Sequence, residues 1–329
     1  MTATVDLNGA CAFITGGAGF IGSHIADKVL EAGASRVVIL DDFSRGRKEN
    51  LDSARMTGRI EVHDGDIRDQ ALVDQLTAGT DIVFHQAALR ITQAAEEPRR
   101  AIEVMVIGTQ NILEAAVRHG VKKVLAASSA SVYGEAMYLP MDEAHPFNNR
   151  TLYGAAKIAN EQMHRAYAEM HGLRYLMLRP FNVYGPRMDA FGAYTEVMIR
   201  WLDRLSRGIA PVIFGDGTQT MDFVYVEDIA RAYLLAATAD HTDDVLNAGS
   251  GTGTSLLELS RLLCSATGHP EIEPVFEPPR SVNPVSRRQA STEAATARIG
   301  FTASTGLREG IDRLVSWYSA ISTRSTIPA

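Results

Sequence analysis

Ala10-Cys11-Ala12-Phe13-Ile14-Thr15-Gly16-Gly17-Ala18-Gly19-Phe20-Ile21-Gly22 is the stretch that decides how this chain folds. Ala10 to Thr15 is a short apolar run with the look of a buried strand. A helical pattern follows through Ile25, Val29 and Leu30. Glycines at 16, 19 and 22 fill the loop between the two. That spacing has a physical use. The backbone must turn tightly, approach a pyrophosphate with no Cβ in the way, and aim a helix N-terminus at its charge. Gly16, Gly19, Phe20, Ile21 and Gly22 are therefore candidate contacts for a dinucleotide.

The next elements extend this reading. Arg36 to Leu40 is a second strand, and it ends at Asp41-Asp42. An acid about twenty residues beyond such a loop is placed to hold a ribose hydroxyl. Asp41 argues for NAD over NADP, because a carboxylate repels a 2′-phosphate. Arg45 and Arg47 weaken that preference. Ile60 to His63 reads as a third strand, followed by a loop in which Asp66 and Ile67 could flank the adenine. Asp81 to His85 is a fourth, ending in the small residues of Gln86-Ala87-Ala88, where Ala87 lets a cofactor lie close. His85 reads as structural. A long amphipathic helix spans about 101 to 119 with Gly120 as its stop. Val121 to Ala127 is another strand, running into Ser128-Ser129-Ala130-Ser131-Val132-Tyr133-Gly134. Strands alternating with helices give an α/β fold, a Rossmann-type doubly wound parallel sheet. Ligands in that architecture sit beyond the carboxyl ends of the strands.

Tyr153-Gly154-Ala155-Ala156-Lys157 falls in a Pro-free helical segment from Thr151 to His171, with Gly172 as its stop. Residues four apart lie one above the other on a helix. An ammonium fixed beside a phenol favours the phenolate, so Tyr153 is expected to act as a general base with Lys157 tuning it. A hydroxyl from Ser128 to Ser131 would reach the same sheet edge and could relay a proton.

The composition narrows the partners. The chain has 329 residues, 46% hydrophobic and 22% charged, which is ordinary for a soluble globular protein with a sizeable core. A net charge of −7 argues against nucleic acid as the main partner. No apolar run approaches a membrane span, and the N-terminus does not read as a signal peptide. The expectation is a cytoplasmic protein. Cys11 and Cys264 stand too far apart for a metal or redox motif, so no metal is expected.

With these residues in view, the chain resembles the extended short-chain dehydrogenase/reductase superfamily, and within it the NAD-dependent nucleotide-sugar epimerase/dehydratase group. The resemblance is carried by Thr15 to Gly22, Asp41, Ser128 to Gly134, Tyr153 to Lys157 and Arg179-Pro180-Phe181-Asn182-Val183-Tyr184-Gly185-Pro186. Phe214 to Gln219 and Asp222 to Asp228 extend it toward the C-terminus. It implies an NAD-binding domain over 1–180 with a returning segment near 222–250. A smaller nucleotide-sugar-binding α/β domain would cover 181–221 and 251–320, and 321–329 would be a loose tail. It also implies a homodimer packed through the two long helices. Carried over by motif, Tyr153 is the base, Lys157 also holds the nicotinamide ribose, Ser129 shares the sugar hydroxyl's proton, and Asn182 contacts diphosphate or sugar.

Within the group, Ala130-Ser131 stands where 4,6-dehydratases place an Asp–Glu pair. Elimination of water needs a general acid and a base there. The Ser129-Ala130-Ser131 form is similar to UDP-sugar 4-epimerases, so the expected activity is a UDP-hexose 4-epimerase of glucose/galactose, N-acetylhexosamine or uronate type. Another nucleotide-sugar dehydratase, a 4-ketoreductase, or a non-catalytic dinucleotide-binding protein are the alternatives. The chain departs from the group at Met221, where many members have an arginine for the diphosphate, and at Met105, where many have asparagine. Arg280, Arg287 and Arg288 are candidates to replace the missing guanidinium, and Arg288 could instead reach a C6 carboxylate. Arg187, after Gly185-Pro186, could also touch substrate.

Overall fold

The structure is a computed structural model that describes residues 4–190, 196–279 and 286–324. Its centre is a seven-stranded sheet in the order β3-β2-β1-β4-β5-β6-β10. The strands are β1 (Cys11–Thr15), β2 (Arg36–Asp41), β3 (Ile60–Asp64), β4 (Ile82–His85), β5 (Lys123–Ala127), β6 (Tyr175–Pro180) and β10 (Asp244–Ala248). Every neighbouring pair is parallel. Parallel strands are covered on both faces, so they read as continuous apolar runs. The central ones do: Val37 to Leu40, Ile82 to Phe84 and Leu176 to Leu178 are fully buried.

Helices α1 (Phe20–Glu31), α2 (Asp52–Met56), α3 (Gln70–Thr77), α4 (Ile91–Glu96), α5 (Pro98–Ile102), α6 (Gly108–Arg118), α7 (Leu152–His171) and α9 (Val226–Thr238) flank this sheet. On one face, Ile25, Val29 and Leu30 of α1 share a core with Ile229, Tyr233 and Ala236 of α9. On the other, Ile112 and Leu113 of α6 and Ala156 of α7 pack over Val83 and Val124. The long helix expected over 101–119 is present as α5 and α6 joined through a π-helical turn, Glu103–Ile107. Met105 lies in that turn, 1% exposed in the core, so its departure is a matter of local packing.

The C-terminal half adds two small sheets. β7 (Asn182–Tyr184), β9 (Thr220–Tyr225) and β11 (Gly253–Ser255) form one, and β8 (Val212–Phe214) pairs with β12 (Val275–Glu277) in the other. Helices α8 (Val197–Leu205), α10 (Leu256–Ala266), α11 (Glu293–Ile299) and α12 (Leu307–Arg324) accompany them. Met198, Leu202, Leu259, Leu263 and Ile311 make this half a core of its own. The Pro- and Glu-rich stretch after Glu271 contains the strand β12, because its backbone completes the edge of β8. Of the tail expected loose over 321–329, residues 321–324 continue helix α12 and 325–329 lie outside the described residues. Among the described residues, no helix is long and apolar enough to cross a membrane.

Candidate active site

A cleft of about 1940 Å³ runs along the carboxyl edge of the large sheet, between it and the C-terminal half. That is well above the ~300–1,000 Å³ of a pocket for one small ligand. Every candidate site residue among the described ones except Arg287 lines it: Gly16, Gly19, Phe20, Ile21, Gly22, Asp41, Asp66, Ile67, Ala87, Ser129, Tyr153, Lys157, Asn182, Arg187 and Arg288. Arg280 lies outside the described residues.

One end is a backbone cradle. Gly16 has φ +65°, and a Cβ there would sit 2.8 Å from the Ala87 amide nitrogen. A Cβ on Gly22 would collide with the Gly16 carbonyl. Helix α1 begins at Gly19 with no side-chain cap, which leaves its first amides turned to the cleft for an anion. These features fit the pyrophosphate of NAD. Asp41 is more committed than its position suggests. Its carboxylate accepts from the amides of Ala18 at 2.9 Å and Phe43 at 3.0 Å, and is 7% exposed. Burial pushes its pKa up. Asp41 therefore ties the end of β2 to the glycine loop, whatever else it holds. Asp66 pairs with Arg68 at 2.7 Å.

The other end gathers the ionisable groups. The Thr151 hydroxyl caps α7 by accepting from the Gly154 amide at 3.1 Å, and Gly172 ends the helix at φ +66°. The Lys157 ammonium stands 5.8 Å from the Tyr153 ring centroid. It donates to the Ala127 carbonyl at 2.5 Å. Burial pushes Lys157 down to about 8. Tyr153 is raised by burial, an effect only partly opposed by its hydrogen bond with Ser129. The simple expectation from spacing, a phenol made acidic by the lysine alone, is thus not met by the protein's own groups. Desolvation outweighs them. The Ser129 hydroxyl also accepts from the Ser131 amide at 3.1 Å.

Behind this pair lies a buried network that the motifs did not reveal. The Ser128 hydroxyl donates to Glu161. Glu161, 3% exposed, is clamped by Arg179 through Nε at 2.8 Å and Nη2 at 2.7 Å. Arg179 also donates to the Tyr133 hydroxyl at 2.7 Å, which donates to Asn247 at 2.6 Å. Glu161 follows Lys157 by one helical turn, so the i, i+4 spacing could have marked it. His85 is fully structural: it bridges Thr15 at 2.7 Å and Thr109 at 3.0 Å, and burial holds its pKa far below the usual value.

Arginines line the C-terminal wall, and their partners separate them. Arg187 has φ +67° and pairs with Asp27 of α1 at 2.7 Å, so its charge joins the two halves of the molecule. Arg45 meets Asp189 at 3.3 Å, and Arg90 meets Glu196 at 3.3 Å, both across the cleft. The sequence reading missed these pairs, since nothing local marks residues that meet only in the fold. Asn182 donates to the Asp222 carbonyl at 3.1 Å. Met221 faces the cleft without a charge. Arg287 is exposed and outside it, whereas Arg288 is 8% exposed within it.

Residues 12–249 match the model of the NAD dependent epimerase/dehydratase family. A UDP-glucose 4-epimerase of Mycolicibacterium smegmatis is 36% identical, over 93% of this chain and 97% of its own length. The crystal structure of UDP-glucose 4-epimerase from Thermotoga maritima, with UDP-glucose, superposes with a TM-score of 0.89 at 34% identity, covering 95% of this chain and 99% of that one. A UDP-N-acetyl-alpha-D-glucosaminuronate decarboxylase of Bacillus cytotoxicus is also similar, 31% identical over 94% of this chain and 97% of its own. A glycine cradle with room for a dinucleotide, a tyrosine–lysine turn at the sheet edge and a match running from β1 past β10 make this chain an NAD-dependent enzyme of the epimerase/dehydratase family, within the extended short-chain dehydrogenases/reductases.

Proposed function

We propose that the protein interconverts the C4 epimers of a UDP-hexose. The observation that carries this is the Tyr153–Lys157 turn, with the ammonium 5.8 Å from the phenol ring, in the cleft that also holds Ser129 and the glycine cradle. Tyr153 Oη takes the proton of the sugar 4-hydroxyl, with Ser129 Oγ passing it between them. Ser129 is held for this by the Ser131 amide. NAD, when bound at Gly16 to Gly22, supplies the acceptor and later the donor of the C4 hydride, and its positive charge when oxidised. Lys157 stays anchored by the Ala127 carbonyl, and would hold the nicotinamide ribose of bound NAD. The 4-keto sugar turns over in the cleft before it is reduced on its opposite face.

Dehydration is disfavoured by the same geometry. Ala130 and Ser131 bring no carboxyl group. Glu196, a carboxylate felt by Tyr153, is paired with Arg90. The active form is taken to be a homodimer through α5, the π-helical turn, α6 and α7, whose surfaces carry Ile102, Ile107 and Met170 at 40%, 47% and 66% exposure.

The test is a panel of UDP-sugars incubated with the holoenzyme, read by separation of the epimers, with no net change in absorbance from NADH. Tyr153→Phe should slow interconversion by about 10²- to 10⁴-fold, the range of general acid–base catalysis, while cofactor stays bound. Interconversion near the wild-type rate in that variant would remove the proposed mechanism.

A further inference from the structure

Strand β9 changes its neighbour at Asp222, on the edge away from β11. At Thr220 the neighbour is the segment 286–291. The Thr220 amide donates to the Ser286 carbonyl at 3.0 Å, and the Arg288 amide to the Thr220 carbonyl at 2.8 Å. From Phe223 onward the neighbour is β7, with Asn182 opposite Phe223. A continued parallel ladder would next take the Ala290 amide to the Asp222 carbonyl. That amide goes to the Asp222 carboxylate instead, at 3.0 Å. The Asp222 carbonyl is left for the Asn182 side chain, which donates to it at 3.1 Å. One residue thus holds two segments, and each carries a residue that lines the cleft, Arg288 and Asn182.

The carboxylate is fully used. Oδ1 accepts from the Ser250 amide and hydroxyl, both at 2.7 Å, and Oδ2 accepts from the Gly251 amide at 2.9 Å as well as from Ala290. These donors are all uncharged. Asp222 is 0% exposed, and burial pushes its pKa up against those bonds. A buried carboxylate without a cation is costly. An acceptor-only group with two oxygens nevertheless suits donors that converge from both sides. Gly249 lets the loop after β10 come this close: a Cβ there would stand 2.7 Å from the Ala290 Cβ and 2.9 Å from Oδ2.

The register of segment 286–291 decides which side chain the cleft receives. Arg288 is 8% exposed in the cleft, and its Nε–Nη2 edge is open, without a hydrogen-bond partner among the described residues. Arg287, one position earlier, is exposed and outside. A slip of one residue in an extended segment exchanges such neighbours. On its far edge the segment is held at Met141, whose amide donates to the Gln289 carbonyl and whose carbonyl accepts from Ser291, both at 2.7 Å. On the near edge the Ala290 amide, buried with its residue at 2% exposure, has the Asp222 carboxylate.

We propose that Asp222 is a positioning residue for the substrate: its carboxylate fixes the register that turns Arg288, and not Arg287, into the cleft, while its carbonyl orients Asn182. Asp222 lies behind the wall formed by Met221 and Phe223 and acts without touching the ligand. The proposal rests on the reading of the cleft as a nucleotide-sugar site and names a residue that sets its grip.

The holoenzyme is titrated with UDP by calorimetry, as wild type, Asp222→Asn and Gln289→Leu. Asparagine keeps the shape but sets an NH2 group against its neighbours' amides, and UDP affinity should fall by about tenfold or more. Gln289→Leu leaves no charge buried and removes only the side-chain bond to the Gly251 carbonyl at 2.8 Å. It should weaken UDP by about two- to fivefold, the worth of one ordinary hydrogen bond. NADH affinity, from fluorescence titration, should stay within about twofold in both variants, because the glycine cradle is distant and independent. For the UDP-sugar that the wild type converts, KM should rise with the UDP Kd while kcat changes by less than about threefold. Unchanged UDP affinity in Asp222→Asn overturns the proposal; if that variant does not fold, unchanged affinity in Gln289→Leu does so. A parallel loss of UDP and NADH overturns it too, because Asp222 would then only hold the fold. A wild type that binds no UDP overturns the nucleotide-sugar reading beneath it, and is seen before any variant is made.

Discussion

Replacing Lys157 by methionine should make the protein more stable while abolishing its activity. Lys157 is 3% exposed, and burial takes its pKa from the usual 10.5 to about 8. One unit is worth about 1.4 kcal/mol, so keeping the ammonium charged at pH 7 costs the native state about 3 kcal/mol. Methionine has similar length and needs no water. Its cost is the lost bond to the Ala127 carbonyl, about 1 kcal/mol. The net gain is about 2 kcal/mol. At about 2.1 cal/mol/K of unfolding entropy per residue, this raises Tm by about 3 °C. The sign with pH follows from the direction of the shift. Because the native pKa lies below the unfolded one, the unfolded chain binds more protons between about 8 and 10.5, and the lysine's cost is relieved as pH rises through that window. The advantage of Lys157→Met should therefore be full at pH 7 and shrink by pH 9.5. Calorimetry on both proteins, stripped of dinucleotide and checked by their absorbance ratio at 260 and 280 nm, measures it. A variant that melts below wild type at pH 7, or a gap that does not change with pH, would refute the reasoning.

Three further outcomes are expected. Arg179→Met should lower stability by about 3–5 kcal/mol, because Glu161 is left charged and buried, and the double change with Glu161→Met should recover most of that in thermal melts. Gly16→Ala should weaken NADH binding by at least about tenfold in a fluorescence titration, since alanine at φ +65° costs about 1–2 kcal/mol and its Cβ meets the Ala87 backbone. Ile107→Glu should shift the mass seen by light scattering to that of the single chain, if the α5–α6 and α7 surfaces are the dimer contact.

Much of the fold was legible because parallel strands announce themselves. Val37 to Leu40 and Ile82 to Phe84 are uninterrupted apolar runs, and each is bounded by glycine, aspartate or a helix signal. β12 was not legible. Val275, Phe276 and Glu277 are all exposed, so no burial pattern marks them, and only the edge of β8 makes the segment a strand. The π-helical turn at Glu103–Ile107 escaped for a related reason: one extra residue in a turn leaves the apolar period nearly intact.

The site divides along the same line, between what backbone needs and what charge does in the fold. Glycine spacing and a turn of helix can be read from order alone, because the constraint is local. The state of Tyr153 could not be. Spacing places a cation beside it, and in water that would favour the phenolate; in the cleft, burial raises Tyr153 and lowers Lys157 together, so each resists the charge it needs. Two buried groups that both favour neutrality are poised for a ligand that brings charge with it. The same logic runs through Arg288, whose open edge is costly until an anion arrives. Arg179 and Glu161 show the alternative: where a cation and a carboxylate are both supplied by the chain, the pair closes and serves only to hold the helix. What distinguishes the reactive end of the cleft from its scaffold is therefore the charges left without an internal partner, and such residues are found only once the fold has shown which pairs are already made.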